Sequence, residues 1–472
     1  MANKKLVLSL GLLLCLSLAG CLVGPNYQPP KPSLPESWSV KGASHEPVNS
    51  VTLARWWMVF NDPLLSDLLM RMSQGNLDLR QAQARLREAR ARRGLAEAGL
   101  FPTLTAKGSV SQTGSSEQAG IGGTAEFFSN KVDASWEIDV FGKLRRGIEA
   151  ADATLQASEV DLKDVLISLY AETALNYVNL RSFQARLAIT ETQLVAQQNT
   201  LQLTEWRFQA GLTTQLDIDQ ARLNVESTRA TLPVLRSGLE QAQHQLAVLL
   251  GQSPGALKPL LNSVQAIPVA PSVISLGLPA DLLRQRPDVR RAERKLAAQT
   301  AQIGVAQAAR YPNFTLTGFI GVESLAAANL YSASAKAFQM AVNGALILFD
   351  AGRLRRNIDI QTALQEQALA LYEATLLQAQ RDVENALVAW IQEQERRDNL
   401  HLAVIAGESA LQLAESQYVA GTIDFLRVLD TQRSLLTVQN QLASSKAEVA
   451  ANVIRLYKAL GGGWEANAHN VP

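Results

Sequence analysis

The sequence predicts a mixed α/β membrane protein, internally duplicated, in which very long helices follow β-hairpins of membrane-crossing length. Three observations carry this expectation. Residues 132–141 read VDASWEIDVF, with Val132, Ala134, Trp136, Ile138 and Val140 on one strand face and Asp133, Ser135, Glu137 and Asp139 on the other. The period then changes. From about Gly142 to Phe208 there is no proline, and Leu155, Leu162, Leu166, Leu169, Ala174 and Val178 recur a few residues apart. That implies one helix of roughly 65 residues, roughly 100 Å long; helices beyond about 25 residues without internal caps belong to coiled coils or helical repeats. Finally, the whole pattern recurs at an offset of 210 residues. Phe141-Gly142-Lys143-Leu144-Arg145-Arg146 matches Ala351-Gly352-Arg353-Leu354-Arg355-Arg356, Pro102 matches Pro312, and Ala210-Gly211 matches Ala420-Gly421. One offset over nearly 150 residues is a duplication, so both halves should share one shape.

Apolar residues make up 47% of the 472 and charged residues 18%. With Gln and Ala concentrated in the helical tracts, this suits long helices facing water or a wide lumen better than one large core. The formal charge of +1 gives no case for nucleic acid, and the basic residues around Arg85–Arg93 are interleaved with acids.

Residues 1–20 form a targeting segment: Lys4 and Lys5, a short apolar run from Leu6 to Leu18, then Leu18-Ala19-Gly20 before Cys21. The run is too short to span a bilayer. It resembles a bacterial lipoprotein signal, which implies cleavage before Cys21 and a covalent lipid on it. Cys15 leaves with the signal, so no disulfide can form. Acyl chains on Cys21 would anchor an exported chain. Leu22 follows the cysteine where an aspartate would favour the inner membrane, so the resemblance implies the outer membrane.

Residues 21–61 form the lipidated tether. Pro25, Pro29, Pro30, Pro32 and Pro35 forbid a helix, and Trp38, Trp56, Trp57 and Phe60 are expected docking points. The first repeat occupies 62–250. Asp62 is its first N-cap, with Pro63 at N1, and Asn76 or Asp78 begins the next helix, to Leu100. Strands are expected at 101–113 and 130–141, with an exposed Gly/Ser-rich loop between them, then long helices at 142–210 and 214–250, with Pro233 kinking the second. Residues 251–278 are an irregular, proline-rich linker and equatorial region. The second repeat, 279–461, carries strands at 312–323 and 338–349 and helices at 352–420 and 424–460. Residues 462–472 are a tail.

Strands of 10–12 residues can cross a bilayer when tilted. Four cannot close a barrel, and in lipid no sheet edge stays unpaired. The count demands an oligomer: two chains give 8 strands and three give 12. A wider barrel can conduct.

The histidines, His45, His244, His401 and His469, have no neighbours at metal-ligand spacing. There is no G-x-S-x-G and no Gly-rich phosphate loop. Neither an enzyme nor a cofactor is expected beyond the lipid on Cys21.

Cys21-Leu22-Val23-Gly24-Pro25-Asn26-Tyr27, Trp56-Trp57, Phe60-Asn61-Asp62-Pro63-Leu64, Leu278-Pro279-Ala280-Asp281-Leu282-Leu283, Arg286-Pro287-Asp288-Val289, Leu429-Asp430-Thr431-Gln432-Arg433 and Leu456-Tyr457-Lys458-Ala459-Leu460-Gly461-Gly462-Gly463 stand in this order along the mature chain. They resemble the lipidated, NodT-type branch of the TolC-like outer-membrane efflux proteins. The resemblance implies a homotrimer with a 12-stranded barrel in the outer membrane of a Gram-negative cell and a 12-helix barrel through the periplasm. Its partners would be a periplasmic adaptor and an inner-membrane pump of the RND type. The chain would supply a passive duct for drugs or other small molecules. A protein-secretion channel and a lipidated periplasmic scaffold are the alternatives.

The same resemblance puts the closed end where each long helix turns back, at Gly211 and Gly421. Leu426 and Asp430 lie four apart and share a helix face. In the family these positions look like the constriction, an apolar ring and an acidic ring of three. The first repeat has Leu216 and Gln220 in the same frame. Arg427 departs from the best-known non-lipidated members, which carry an aspartate there. Its counterpart in the first repeat is Asp217, and an Asp217–Arg427 bridge between neighbouring helix pairs is the expected lock.

Overall fold

The computed structural model describes residues 22–31, 37–39, 53–116, 118, 122–271, 274 and 279–464. The signal segment, Cys21 and the end of the tail lie outside the described residues. The elements run α1 (Pro63–Gly75), α2 (Leu77–Ala98), β1 (Thr103–Ser115), β2 (Gly123–Ile138), α3 (Lys143–Gln209), α4 (Gln215–Leu249), α5 (Lys258–Leu261), α6 (Pro279–Gln285), α7 (Pro287–Ala308), β3 (Asn313–Ser324), β4 (Lys336–Ala345), α8 (Arg353–Val419) and α9 (Phe425–Ala459).

The duplication is reproduced residue for residue in the helices. α2 and α7 have 22 residues each, α3 and α8 67, α4 and α9 35, and each pair starts 210 residues apart. The chain divides into two compact units, residues 1–32, 84–159 and 290–374, and residues 33–83, 160–289 and 375–472.

The first unit holds one antiparallel sheet of order β1-β2-β3-β4. Directly paired residues share a face. Ala106, Val132, Ile320 and Phe338 form one cross-strand row, and Trp136, Leu316 and Val342 another. The opposite face carries Thr105, Asp133, Phe319 and Gln339, and Glu137 beside Thr315. There Lys107 pairs with Asp133 at 2.8 Å, Ser109 and Ser129 share a hydrogen bond of 2.8 Å, and Lys131 sits 4.7 Å over the Phe319 ring. The apolar face has no cover among the described residues: Phe338 is 84% exposed and Met340 81%. Among the described residues, β1 and β4 each have one unpaired edge.

Two strands depart from expectation by more than two residues at an end, while β1 is shifted by two. β2 begins at Gly123, seven residues earlier than 130, because the β1–β2 ladder runs unbroken to Ser115↔Gly123. It ends at Ile138, three residues before 141. Asp139 has left the polar strand face, and its carboxylate accepts from the N–H groups of Leu144 and Arg145 at the start of α3. Asp350 does the same for Leu354, the 210-residue counterpart of Leu144. That hydrogen bond, with a smaller opposing effect of desolvation, holds the Asp350 carboxyl below its ordinary value. β4 runs from Lys336 to Ala345 instead of 338–349. β3 starts at Asn313, opposite Ala345, and Pro312 has no N–H to offer the residues beyond.

Also in the first unit, residues 22–27 lie along the start of α3. Arg146, 1% exposed, donates from Nε to the Val23 carbonyl (3.0 Å) and from Nη2 to the Gly24 carbonyl (3.0 Å) and Asn26 Oδ1 (2.8 Å). Tyr27 donates to Glu293 Oε1 at 3.1 Å. Gly24 is required here: its φ is +98°, and a Cβ would stand 2.4 Å from the Gly304 Cα. Residues 22–27 are thus held by a buried arginine, while Trp38, farther along the tether, is itself buried.

In the second unit Asp62 caps α1 through the Leu65 N–H (3.0 Å), and Asn76 caps α2 through Leu79 (2.9 Å). Trp56 is fully buried and stacks on Tyr457 with ring centroids 5.9 Å apart. Arg181, also fully buried, donates to the Ser263 carbonyl (2.8 Å) and Gln265 Oε1 (3.0 Å), and so ties the linker to α3. Pro233 lies inside α4 without ending it. No helix among the described residues is long and apolar enough to cross a membrane.

Candidate functional site

Both long helices end in the same way. After α3, the Gly211 N–H donates to the Phe208 carbonyl and the Leu212 N–H to that of Arg207, with Gly211 at φ +73°. After α8, Gly421 donates to Tyr418 and Thr422 to Gln417, with Gly421 at φ +76°. These are Schellman closures, and the left-handed position explains why glycine stands there.

The two turns then differ. α4 opens with a capping box: Asp217 Oδ2 accepts from Thr213 Oγ1 (2.5 Å), Thr214 N (2.9 Å) and Thr214 Oγ1 (2.8 Å). Partial burial pushes this carboxyl up, but the Thr213 and Thr214 donors outweigh it and hold it below its ordinary value. α9 opens at Asp424, whose side chain makes no capping bond. Packing holds this end instead. Phe425, Val428 and Leu429 are buried with Tyr418, Ala414 and Ala221. The Tyr418 and Phe425 rings lie 5.2 Å apart.

That packing fixes which residues face outward. With Phe425, Val428, Leu429 and Gln432 turned in, Leu426, Arg427 and Asp430 are exposed, Leu426 at 50%. Leu426 and Asp430 thus share the face turned away from the chain's own core. Leu216 is exposed in the same frame and Gln220 half-buried. Arg427 forms no ion pair with Asp217 within the chain among the described residues. Oδ2 of Asp217 is occupied by its own cap, and Oδ1 receives no hydrogen bond there.

Two features escape sequence reasoning. Arg207, in the last turn of α3, reads as a cap for its own helix. Its Nη1 donates instead to the Tyr418 carbonyl (3.0 Å), in the last turn of α8. The other is a polar seam between α3 and α9, which run antiparallel. Thr200 Oγ1 accepts from Gln432 Nε2 (3.0 Å) and Gln193 Nε2 donates to Gln439 Oε1 (3.1 Å). Gln197 lies between them, 2% exposed, with neither amide atom partnered. Helical glutamines look like a solvated face in sequence, and only the approach of α9 buries them.

Comparison with known proteins gives a consistent result. The family model described as "Outer membrane efflux protein" matches twice, at residues 68–252 and 278–462. Nodulation protein T of Rhizobium leguminosarum bv. trifolii is 33% identical over 95% of this chain and 96% of its own length. The toluene efflux pump outer membrane protein TtgF of Pseudomonas putida is 32% identical over 97% of each chain. Among solved structures, the outer-membrane channel OprN superposes with a TM-score of 0.88 at 34% identity, over 94% of this chain and all of that one.

Proposed function

This chain belongs to the outer membrane efflux protein family, and we propose that it works as a trimeric exit duct of a three-part efflux pump. It is an outer-membrane efflux channel protein, not an enzyme. Three copies would join β4 of one chain to β1 of the next and close 12 strands. Their long helices would form a 12-helix barrel in the periplasm. The observation that carries this reading is a four-stranded sheet with two free edges and an uncovered apolar face. In lipid no sheet edge stays unpaired, and in water an uncovered apolar face is an interaction or aggregation surface.

A lipid on Cys21 would add a second hold on the membrane, secondary to strand closure because one lipid group gives only modest affinity. An RND-type pump in the inner membrane and a periplasmic adaptor would supply energy and continuity. Leu426 and Asp430 would form the closing rings, and Asp217 Oδ1 is open to Arg427 of a neighbouring copy. The relative TtgF is named for toluene, which supports small apolar or amphiphilic molecules as cargo. A periplasmic scaffold would leave Phe338 and Met340 in water, which disfavours it.

Mass measurement of the detergent-solubilised protein should return three chains, and planar bilayers should show ion conductance. A stable monomer that still conducts would end this reading.

A further inference from the structure

The linker between the repeats carries a pinned stretch of backbone that makes no backbone–backbone hydrogen bond among the described residues. Residues 264–271, VQAIPVAP, run without turn or bend. Pro268 and Pro271 favour extended backbone, in themselves and in the residues before them. No backbone group of this stretch is hydrogen-bonded among the described residues. The stretch is nonetheless held. Arg181 grips the Ser263 carbonyl and the Gln265 side chain, and Pro268 is buried.

In extended chain, alternate residues turn their N–H and C=O to opposite sides. One side of this edge presents Val264, Ala266 and Ala270, interrupted by Pro268, which has no N–H. The other presents Gln265, Ile267 and Val269 without interruption. Beside the stretch lies a groove of about 530 Å³, walled by Ile189, Leu442 and Val449 together with Ile267 and Val269. Two cations stand at it. Arg397 is bonded to Asp398, while Lys446 forms no ion pair among the described residues.

The geometry points to a docking site for an extended segment of another protein. It would have apolar side chains at alternate positions and a carboxylate at one end. Such a segment would add as a strand to Gln265, Ile267 and Val269, place every second side chain in the groove, and set its acid against Lys446. Main-chain bonds would supply affinity, and the groove and the lysine would supply direction and selectivity. The site lies wholly within the second unit and does not depend on the gate or on the substrate.

The test uses the full-length protein in detergent and a fluorescein-labelled peptide, Val-Thr-Val-Thr-Val-Glu, followed by anisotropy. Saturable binding is expected. Lys446→Glu should weaken it about tenfold, and so should Val269→Pro, which removes an N–H from the uninterrupted side. Ala270→Pro removes an N–H from the other side and should leave binding within about twofold. Val269 is 77% exposed and Ala270 half-buried, so neither proline replaces a buried core side chain. No saturable binding, equal loss in the two proline variants, or indifference to Lys446→Glu would overturn the proposal. So would photocrosslinking from position 269 that joins only copies of this chain.

Discussion

The guanidinium of Arg207 lies 4.5 Å over the ring of Tyr418, and its Nη1 donates to the Tyr418 carbonyl at 3.0 Å. One side chain at the end of the first repeat's long helix thus satisfies the end of the second's. Tyr418 in turn packs on Phe425, one residue before Leu426. Arg207→Ala should remove a cation–π contact and a charged hydrogen bond, about 1–3 kcal/mol together. Amide exchange at residues 418–430 should accelerate while that of α1 stays unchanged. Equal exchange in both proteins would mean the contact holds nothing.

Asp217 gives a pH dependence whose sign is fixed. Its folded pKa is depressed, so the cap contributes stability that is fully present above the ordinary carboxylate value of about 4 and lost as pH falls through the folded value. Asp217→Asn should destabilise the α3–α4 turn by about 1 kcal/mol at neutral pH, with the difference from wild type shrinking in acid. Hydrogen exchange of residues 211–220 at two pH values measures this.

If Leu426 and Asp430 form the closing rings, their removal separates size from charge. Leu426→Ala should raise single-channel conductance. Asp430→Ala should weaken cation preference, because three crowded carboxylates favour cations at a mouth. Unchanged traces for both would place the constriction elsewhere.

The sheet register predicts opposite outcomes for neighbouring residues on one strand. Ile320→Arg puts a charge on the apolar face and should cost about 2–4 kcal/mol in a bilayer near its midplane. Phe319→Arg, on the face with Asp133 and Gln339, should cost much less. Unfolding in lipid vesicles compares them, and similar losses would place the hairpins outside the membrane.

Gln197 predicts a gain. Its buried amide has no partner, and an unsatisfied buried polar group costs about 1–3 kcal/mol. Gln197→Leu should stabilise the α3–α9 seam by part of that, seen as a higher midpoint in thermal unfolding. A lower midpoint would mean that ordered water already satisfies the amide.

The sequence by itself determined the duplication, the helix lengths and the faces of the strands. These depend on local periodicity and on residues such as Asp62, Gly211 and Pro312 whose backbone roles are set within a few positions. It also carried the family resemblance, through motifs spread along the mature chain. Strand ends were less legible. Whether Asp139 continues a strand or caps a helix depends on which N–H groups approach it, and β4 stops where β3 has no partner to offer. Only the tertiary structure decided what three helix arginines hold, two of them buried and Arg207 half-buried. Arg146 receives residues 23–26, Arg181 the linker, and Arg207 the end of α8, each from a helix position that reads as solvent-facing. The physical reason is reach. A helix face is written in the spacing of a few residues, but a guanidinium finds carbonyls 82 to 211 positions away in the chain, and only folding brings them within 3 Å.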